Sequence, residues 1–205
     1  MITQAGGTVP KVVNRDERRR TIASALLRLA AREGLAAVSV RSVAAESGVS
    51  AGAVQKYFPS KEDMILLALE LTEDRLERRY AALPENADIG EYLRQSLPLD
   101  EERREEAIVL TAFTAAAANR PDWAKFLAEG YASIQDTTAA LLRTAQSAGL
   151  LPEDHDADAL AAGLTALSDG FTSRILQLAP GSPEIDRLLT ALDISARALL
   201  GLGAA

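Results

Sequence analysis

The sequence predicts an all-α protein of about nine helices, a helix-turn-helix head of three helices followed by an antiparallel helical bundle. Three observations predict it. From Asp16 onward, apolar residues recur at intervals of three and four, and no stretch alternates with period two over several residues. Gly and Pro interrupt these runs at spacings that suit helices joined by short turns. Residues 39–61, SVRSVAAESGVSAGAVQKYFPSK, read as a two-turn helix, a tight turn on Gly48, a second two-turn helix and the capped start of a third. That order places a helix in the major groove of DNA.

The charge pattern supports this reading. The 205 residues have a formal net charge of −7, but residues 1–63 hold ten Lys/Arg against six Asp/Glu, and residues 64–205 hold twelve against twenty-three. A basic head on an acidic body says more about partners than the whole-chain charge does. There are no cysteines, which excludes disulfides and thiolate metal sites. The first residues, MITQAGGTVPKVVN, lack the basic-then-apolar order of a signal peptide, and no apolar run is long enough to span a membrane. A cytoplasmic location is expected.

Each element has a local reason. Residues 1–13, with Gly6, Gly7 and Pro10, are expected to form an arm. Ile22, Ala25, Leu26, Leu29 and Ala30 line one face of a helix over 16–32, with Asn14 or Asp16 at its start and Gly34 after its end. Ser39 caps a helix over 40–47 whose Val43 and Ala44 face inward. Gly48 supplies a left-handed turn, and Ser50 caps a helix over 51–57 that turns Val54 inward. Phe58 packs beneath, Pro59 breaks the chain, and Ser60 with Asp63 starts a long helix from Lys61 to about Ala82. The head is therefore expected over 14–60 and the body over 61–205. In the body, helices are predicted at about 88–97, 102–118, 121–148, 157–179 and 184–201. Their breaks are Pro98, Asn119 to Pro121, Gly149 to Pro152, and Pro180 to Pro183, with Pro121 and Pro183 in or near first turns.

Ser39, Val43-Ala44, Gly48-Val49-Ser50, Gly52, Tyr57-Phe58 and Lys61-Glu62 stand in a pattern that resembles the TetR family of bacterial transcriptional regulators. The resemblance spans residues 16–70. One position departs from it: Gln55 stands where the family often has Tyr. The stretch LPLDEERREEA (97–107) and the Asp169-Gly170 pair also resemble the ligand-binding half of choline-responsive-type repressors, a likeness that specifies no effector here. The family resemblance implies a homodimeric regulator of double-stranded DNA, released by a small-molecule effector, with no cofactor and no enzymatic activity. An activator of the same fold, or a helical binding module without DNA binding, are the alternatives.

The candidate DNA-reading residues follow from the chemistry of the motif. Ser50, Ala51 and Gly52 open the recognition helix, where exposed amides suit a phosphate and small side chains allow close approach. Gln55 suits an adenine edge, to which Gln donates and from which it accepts, although it is also placed to face solvent. Lys56, Tyr57 and Lys61 suit phosphates, with partial packing the other reading for Tyr57. Ser39 and Arg41 begin the preceding helix beside the groove. Arg18, Arg19 and Arg20, with Lys11 and Arg15, form either a flanking contact or a solvated face.

Two further sets lie in the body. Tyr92, Phe113, Trp123, Phe126 and Tyr131, with Thr111, Thr114 and Gln135 among them, are either core packing or the wall of an effector pocket. Leu160, Leu164, Leu167, Phe171 and Ile175, and then Leu188, Leu192 and Leu199, form stripes that suit a four-helix dimer interface or the domain's own core; the resemblance favours the dimer. Asp154, His155, Asp156 and Asp158 lack the spacing of a metal site, and Asp156 reads as a helix cap. With a single histidine, acid–base catalysis is not expected.

Overall fold

The computed structural model describes residues 13–84 and 86–203. Among these residues there are nine α-helices, one 3-10 turn and no strand. They are α1 Val13–Glu33, the turn Leu35–Ala37, α2 Val40–Ser47, α3 Ala51–Tyr57, α4 Lys61–Ala81, α5 Ile89–Arg94, α6 Glu101–Ala117, α7 Pro121–Ser147, α8 Ala157–Leu176 and α9 Pro183–Leu199. The expected arm falls almost wholly outside the described residues. Two compact units result, one reaching Asp74 and one beginning at Arg75, so the passage between them falls inside α4 and not at the Ser60–Lys61 step.

In the first unit, α1 packs on α2 and α2 on α3. Ile22, Leu26, Leu27, Val43, Val54, Phe58, Met64 and Ile65 are among its buried side chains. The expected caps are present and one is more elaborate. Ser39 Oγ accepts the amide of Ser42 at 3.1 Å, and Ser42 Oγ accepts the amide of Ser39 at 2.9 Å, a capping box built from two serines. Gly48 ends α2 with φ of 69°. This is the left-handed region, where a side chain is penalised. The 3-10 turn at 35–37 was not foreseen, because its three residues give no periodic signal. It presents its carbonyls to Lys61, whose Nζ donates to Leu35 O at 2.6 Å.

An ion-pair cluster ties α1 to α2. Arg28 Nε donates to Glu46 Oε1 at 3.1 Å and Arg32 Nη2 to Glu46 Oε2 at 3.0 Å. Hydrogen bonds from Arg32 and then Arg28 hold the Glu46 carboxyl below the usual glutamate range. A depressed folded pKa gives stability that is present above the unfolded value and is lost as pH falls through the folded one. Glu46→Gln should therefore lower the denaturation midpoint at pH 7, with the difference from wild type shrinking as pH falls through the folded-state value. Denaturant titrations over a series of falling pH values check this, and a gap that does not shrink would assign the effect to packing.

In the second unit, α7 packs on α8, α8 on α9, α6 on α7 and α5 on α9. Its core gathers Leu93, Leu97, Leu142, Leu160, Leu164, Ile175, Leu192 and Leu200. The close approach of α8 and α9 depends on Gly163, where an added Cβ would lie 3.1 Å from a methyl of Leu199. Arg104 donates to the carbonyls of Leu176 at 2.8 Å and Leu178 at 2.9 Å, satisfying groups that the end of α8 leaves open. Asp156 caps α8 as expected, its Oδ1 accepting the amide of Asp158 at 2.9 Å. Among the described residues no group of His and carboxylates is arranged to hold a metal ion.

Candidate nucleic-acid interface and effector site

The outward side of the first unit is built on α3. Ser50 Oγ caps it by accepting the amide of Ala53 at 3.3 Å, and buried Val54 anchors it from within. Ala51, Gly52, Gln55 and Lys56 are exposed. A Cβ added at Gly52 would meet nothing within 4 Å, so open space lies over the start of the helix. Tyr57 is half-buried, its ring 6.4 Å from that of buried Phe58. Ser39 and Arg41 are exposed at the start of α2. The arginine run divides: Arg19 lies over the Phe58 ring at 5.6 Å, whereas Arg18 and Arg20 are exposed. The position of Lys61 differs from a freely projecting phosphate contact, because its ammonium is already held by the carbonyl of Leu35.

The aromatic residues named for the effector site fall into three groups. Phe113 is fully buried and stacks on Trp123 with ring centroids 4.3 Å apart, and Phe126 meets Phe113 edge-on at 6.0 Å. The Arg120 guanidinium lies 4.4 Å from the Trp123 centroid, so the indole is held between Phe113 and a cation of the same chain. Tyr92 stacks on Tyr80 at 4.2 Å. Burial and then the neighbouring Tyr92 push the Tyr80 hydroxyl well above the usual tyrosine range, and burial raises Tyr92. Tyr131 donates to Asp169 at 3.0 Å. Burial, and then the Asp169 charge, push the Tyr131 hydroxyl up to about 12, while burial also raises the Asp169 carboxyl.

Polar groups lie beside these rings, but not the ones expected. Thr111 and Thr114 are exposed. Instead Ser96 and Ser168 share a hydrogen bond of 2.8 Å, with Ser96 lying near the Tyr80 hydroxyl and Thr138 near that of Tyr92. The same unit holds a buried charge cluster. Glu106 Oε1 accepts from Arg75 at 3.1 Å and Oε2 from Arg79 at 2.9 Å, and the Glu106 side chain is only 4% exposed.

Two family models match the chain. Residues 22–68 match the bacterial regulatory proteins of the tetR family, and residues 86–201 match the C-terminal domain of BetI-type transcriptional repressors. The chain belongs to the TetR family of transcriptional regulators. It is 30% identical to the HTH-type transcriptional regulator PksA of Bacillus subtilis over 80% of each chain. It is 27% identical to the regulator BetI of Rhizobium meliloti, over 89% of this chain and 90% of that one. Among solved structures, a transcriptional regulator from Rhodococcus sp. Rha1 matches with a TM-score of 0.74 and 33% identity, covering 89% of this chain and 96% of that one. A regulator from Saccharomonospora viridis in complex with choline matches with a TM-score of 0.72 and 31% identity, covering 87% and 95%. The protein is thus a DNA-binding transcriptional regulator, and its relatives are regulators, not enzymes.

Within this TetR-family chain, the residues expected at the dimer interface divide into buried and partly open positions. Leu160, Leu164, Ile175 and Leu192 lie in the chain's own core, and Leu167, Phe171 and Leu188 pack partly against it. Leu199, at 37% exposed, is the one of the set left open. An apolar stripe on an amphipathic helix is consumed first by its own fold. Exposed positions on these two helices include Ala162, Ala166 and Gly170 of α8 and Ile194 of α9, the last at 64% exposed. Sequence reasoning also missed Tyr80, Ser96, Arg75 and Arg79. The four-residue interval from Arg75 to Arg79 was a usable signal, since it puts both guanidinium groups on one face of α4.

Proposed function

We propose that this regulator is a homodimeric repressor, released from a two-fold symmetric operator by a small molecule bound in the second unit. The exposed small-residue start of α3, with Gln55 and Lys56 behind it, carries the reading. It allows close approach of the helix to base edges, with Gln55 reading sequence and Ser39, Arg41, Ser50, Lys56 and Tyr57 holding phosphates. Lys61 sets the turn at 35–37 and gives its remaining donor capacity to the backbone. Two copies joined through the Ala162, Ala166, Gly170 and Ile194 side would present two α3 helices to successive major grooves about 34–36 Å apart. The BetI-type match supports repression, and the choline bound by a relative supports a small-molecule effector for this chain. Helix α4 begins in the first unit and ends in the second, and is the element through which an effector would act. Among the described residues no helix is long and apolar enough to cross a membrane, which agrees with action on DNA in the cytoplasm.

Two substitutions separate reading from holding. Gln55→Ala should relax preference at one base pair of each half-site, costing about 1–3 kcal/mol on the preferred sequence and little on others. Lys56→Ala should weaken all sequences alike and reduce the salt slope by about one. Titrations on matched and mismatched duplexes at several salt concentrations check both. The same effect of Gln55→Ala on every duplex would remove it from base reading. Addition of candidate effectors to the preformed complex tests release, and a footprint that survives every bound effector would contradict the switch.

A further inference from the structure

We propose that Arg15 and Arg18, in the first turns of α1, form a second phosphate-binding surface that holds the DNA backbone beyond the end of the recognition helix. This rests on the reading of α3 as the groove helix and extends the interface past α2 and α3. The inner stripe of α1 changes character along its length. Ile22, Leu26 and Leu29 are buried. Arg19, Arg18 and Arg15 stand three, four and seven residues before Ile22, so they continue the same stripe toward the start of the helix. There the stripe is arginine and has no core to meet, and Arg15 and Arg18 are exposed. Asp16 and Glu17, six and five residues before Ile22, fall off the stripe, as does Arg20, two before it.

Arg19 fixes where that stripe lies. Its guanidinium stands 5.6 Å from the centroid of the Phe58 ring, and Phe58 is the residue that closes α3. The basic stripe therefore begins beside the C-terminal end of α3, the end that carries Lys56 and Tyr57. Arg15 lies one helical turn further on, about 6 Å along the axis. The cations of α1 also divide by partner. Arg28 and Arg32, in its second half, are tied to Glu46 at 3.1 and 3.0 Å. Among the described residues neither Arg15 nor Arg18 has a carboxylate partner. Folding neutralises the guanidinium groups of one half of α1 and leaves those next to α3 with their full charge. An arginine fork matches two phosphate oxygens, and such a contact holds position without reading sequence.

The test uses the full-length protein on the duplex that the wild type selects from a random pool, and on a scrambled duplex of equal length. Three variants are compared with wild type: Arg15→Ala with Arg18→Ala, Arg15→Lys with Arg18→Lys, and Arg20→Ala. Fluorescence anisotropy over a series of salt concentrations gives affinities and slopes, and ethylation interference maps the phosphates each protein needs. The double alanine variant should weaken both duplexes by the same factor, about tenfold or more, and lower the salt slope by about two for each bound head. It should also become indifferent to ethylation at phosphates that the wild type needs. The double lysine variant should keep the slope, and Arg20→Ala should keep both slope and affinity. The substituted side chains are exposed or lie at the edge of the helix, and thermal melting establishes that each variant is folded. An unchanged slope in the double alanine variant overturns the inference. So does an equal fall of slope in Arg20→Ala, which would assign the effect to net charge, or a loss confined to the selected duplex, which would make it base reading. In each of these cases wild type still binds its selected duplex and the regulator stands. Wild-type protein that selects no duplex removes the reading of α3 itself.

Discussion

Replacing Gly52 with glutamate should abolish operator binding and leave the fold intact. Gly52 lies in the first turn of α3, is exposed, and has nothing within 4 Å of where a Cβ would stand. Glutamate is a better helix former than glycine by about 0.5–1 kcal/mol, and a carboxylate in the first turn complements the helix dipole. The melting temperature should therefore hold or rise slightly. On DNA the same side chain would occupy the space the backbone needs and set a negative charge against the phosphates. A loss of more than about 100-fold, roughly 3 kcal/mol, is expected. Thermal melting and fluorescence anisotropy on one sample check both halves. Retained affinity would mean that α3 does not enter the groove by its N-terminal turn.

Replacing Glu106 with alanine should be the most damaging single change to the second unit. The carboxylate is 4% exposed and joins Arg75 and Arg79, which are 16% and 19% exposed. Its removal leaves two guanidinium groups without their buried counter-charge, a change that costs about 3–5 kcal/mol in such settings. For a unit of this size that corresponds to a fall in Tm on the order of 10–20 °C. The contrast is informative. Exchanging all three for apolar groups (Arg75→Met, Arg79→Met and Glu106→Leu together) should come close to neutral, because no buried charge is left unpaired and Glu102, which loses Arg75, is 56% exposed. Calorimetric melting of the single and triple variants separates the two cases. A single-variant loss below about 1 kcal/mol would place the cluster in solvent.

What was legible in the sequence was what neighbours in the chain decide. Ser39, Gly48 and Ser50 punctuate the head through capping bonds and a left-handed turn, each reaching at most three residues, so α2 and α3 start and stop where expected. Helix ends in the body were read less well. Helix α5 stops at Arg94 and not near 97, where the chain bends into buried Leu97 and Pro98, and α8 stops at Leu176 because Arg104 holds its last carbonyls. Both causes lie in packing from elsewhere in the chain. The body site suffered most. Trp123 was a fair candidate wall by composition, but its faces are taken by Phe113 and Arg120. Glu106 meets Arg79 across 27 residues of chain, a pairing that no local pattern announces. Leu160, Leu164, Ile175 and Leu192 of the expected dimer stripes are buried in the chain's own core for a related reason, since spacing of three and four marks the buried side of a helix without saying which neighbour buries it.

The central claim is that two α3 helices read a symmetric site. Selection from a random duplex pool by the wild-type protein, followed by titration of the winning sequence at two salt concentrations, tests it most directly. The account predicts one enriched two-fold symmetric site, with half-sites a helical turn apart or a multiple of it, and an affinity that falls steeply with salt. No enriched sequence at low salt, or an enriched site without symmetry, would contradict it.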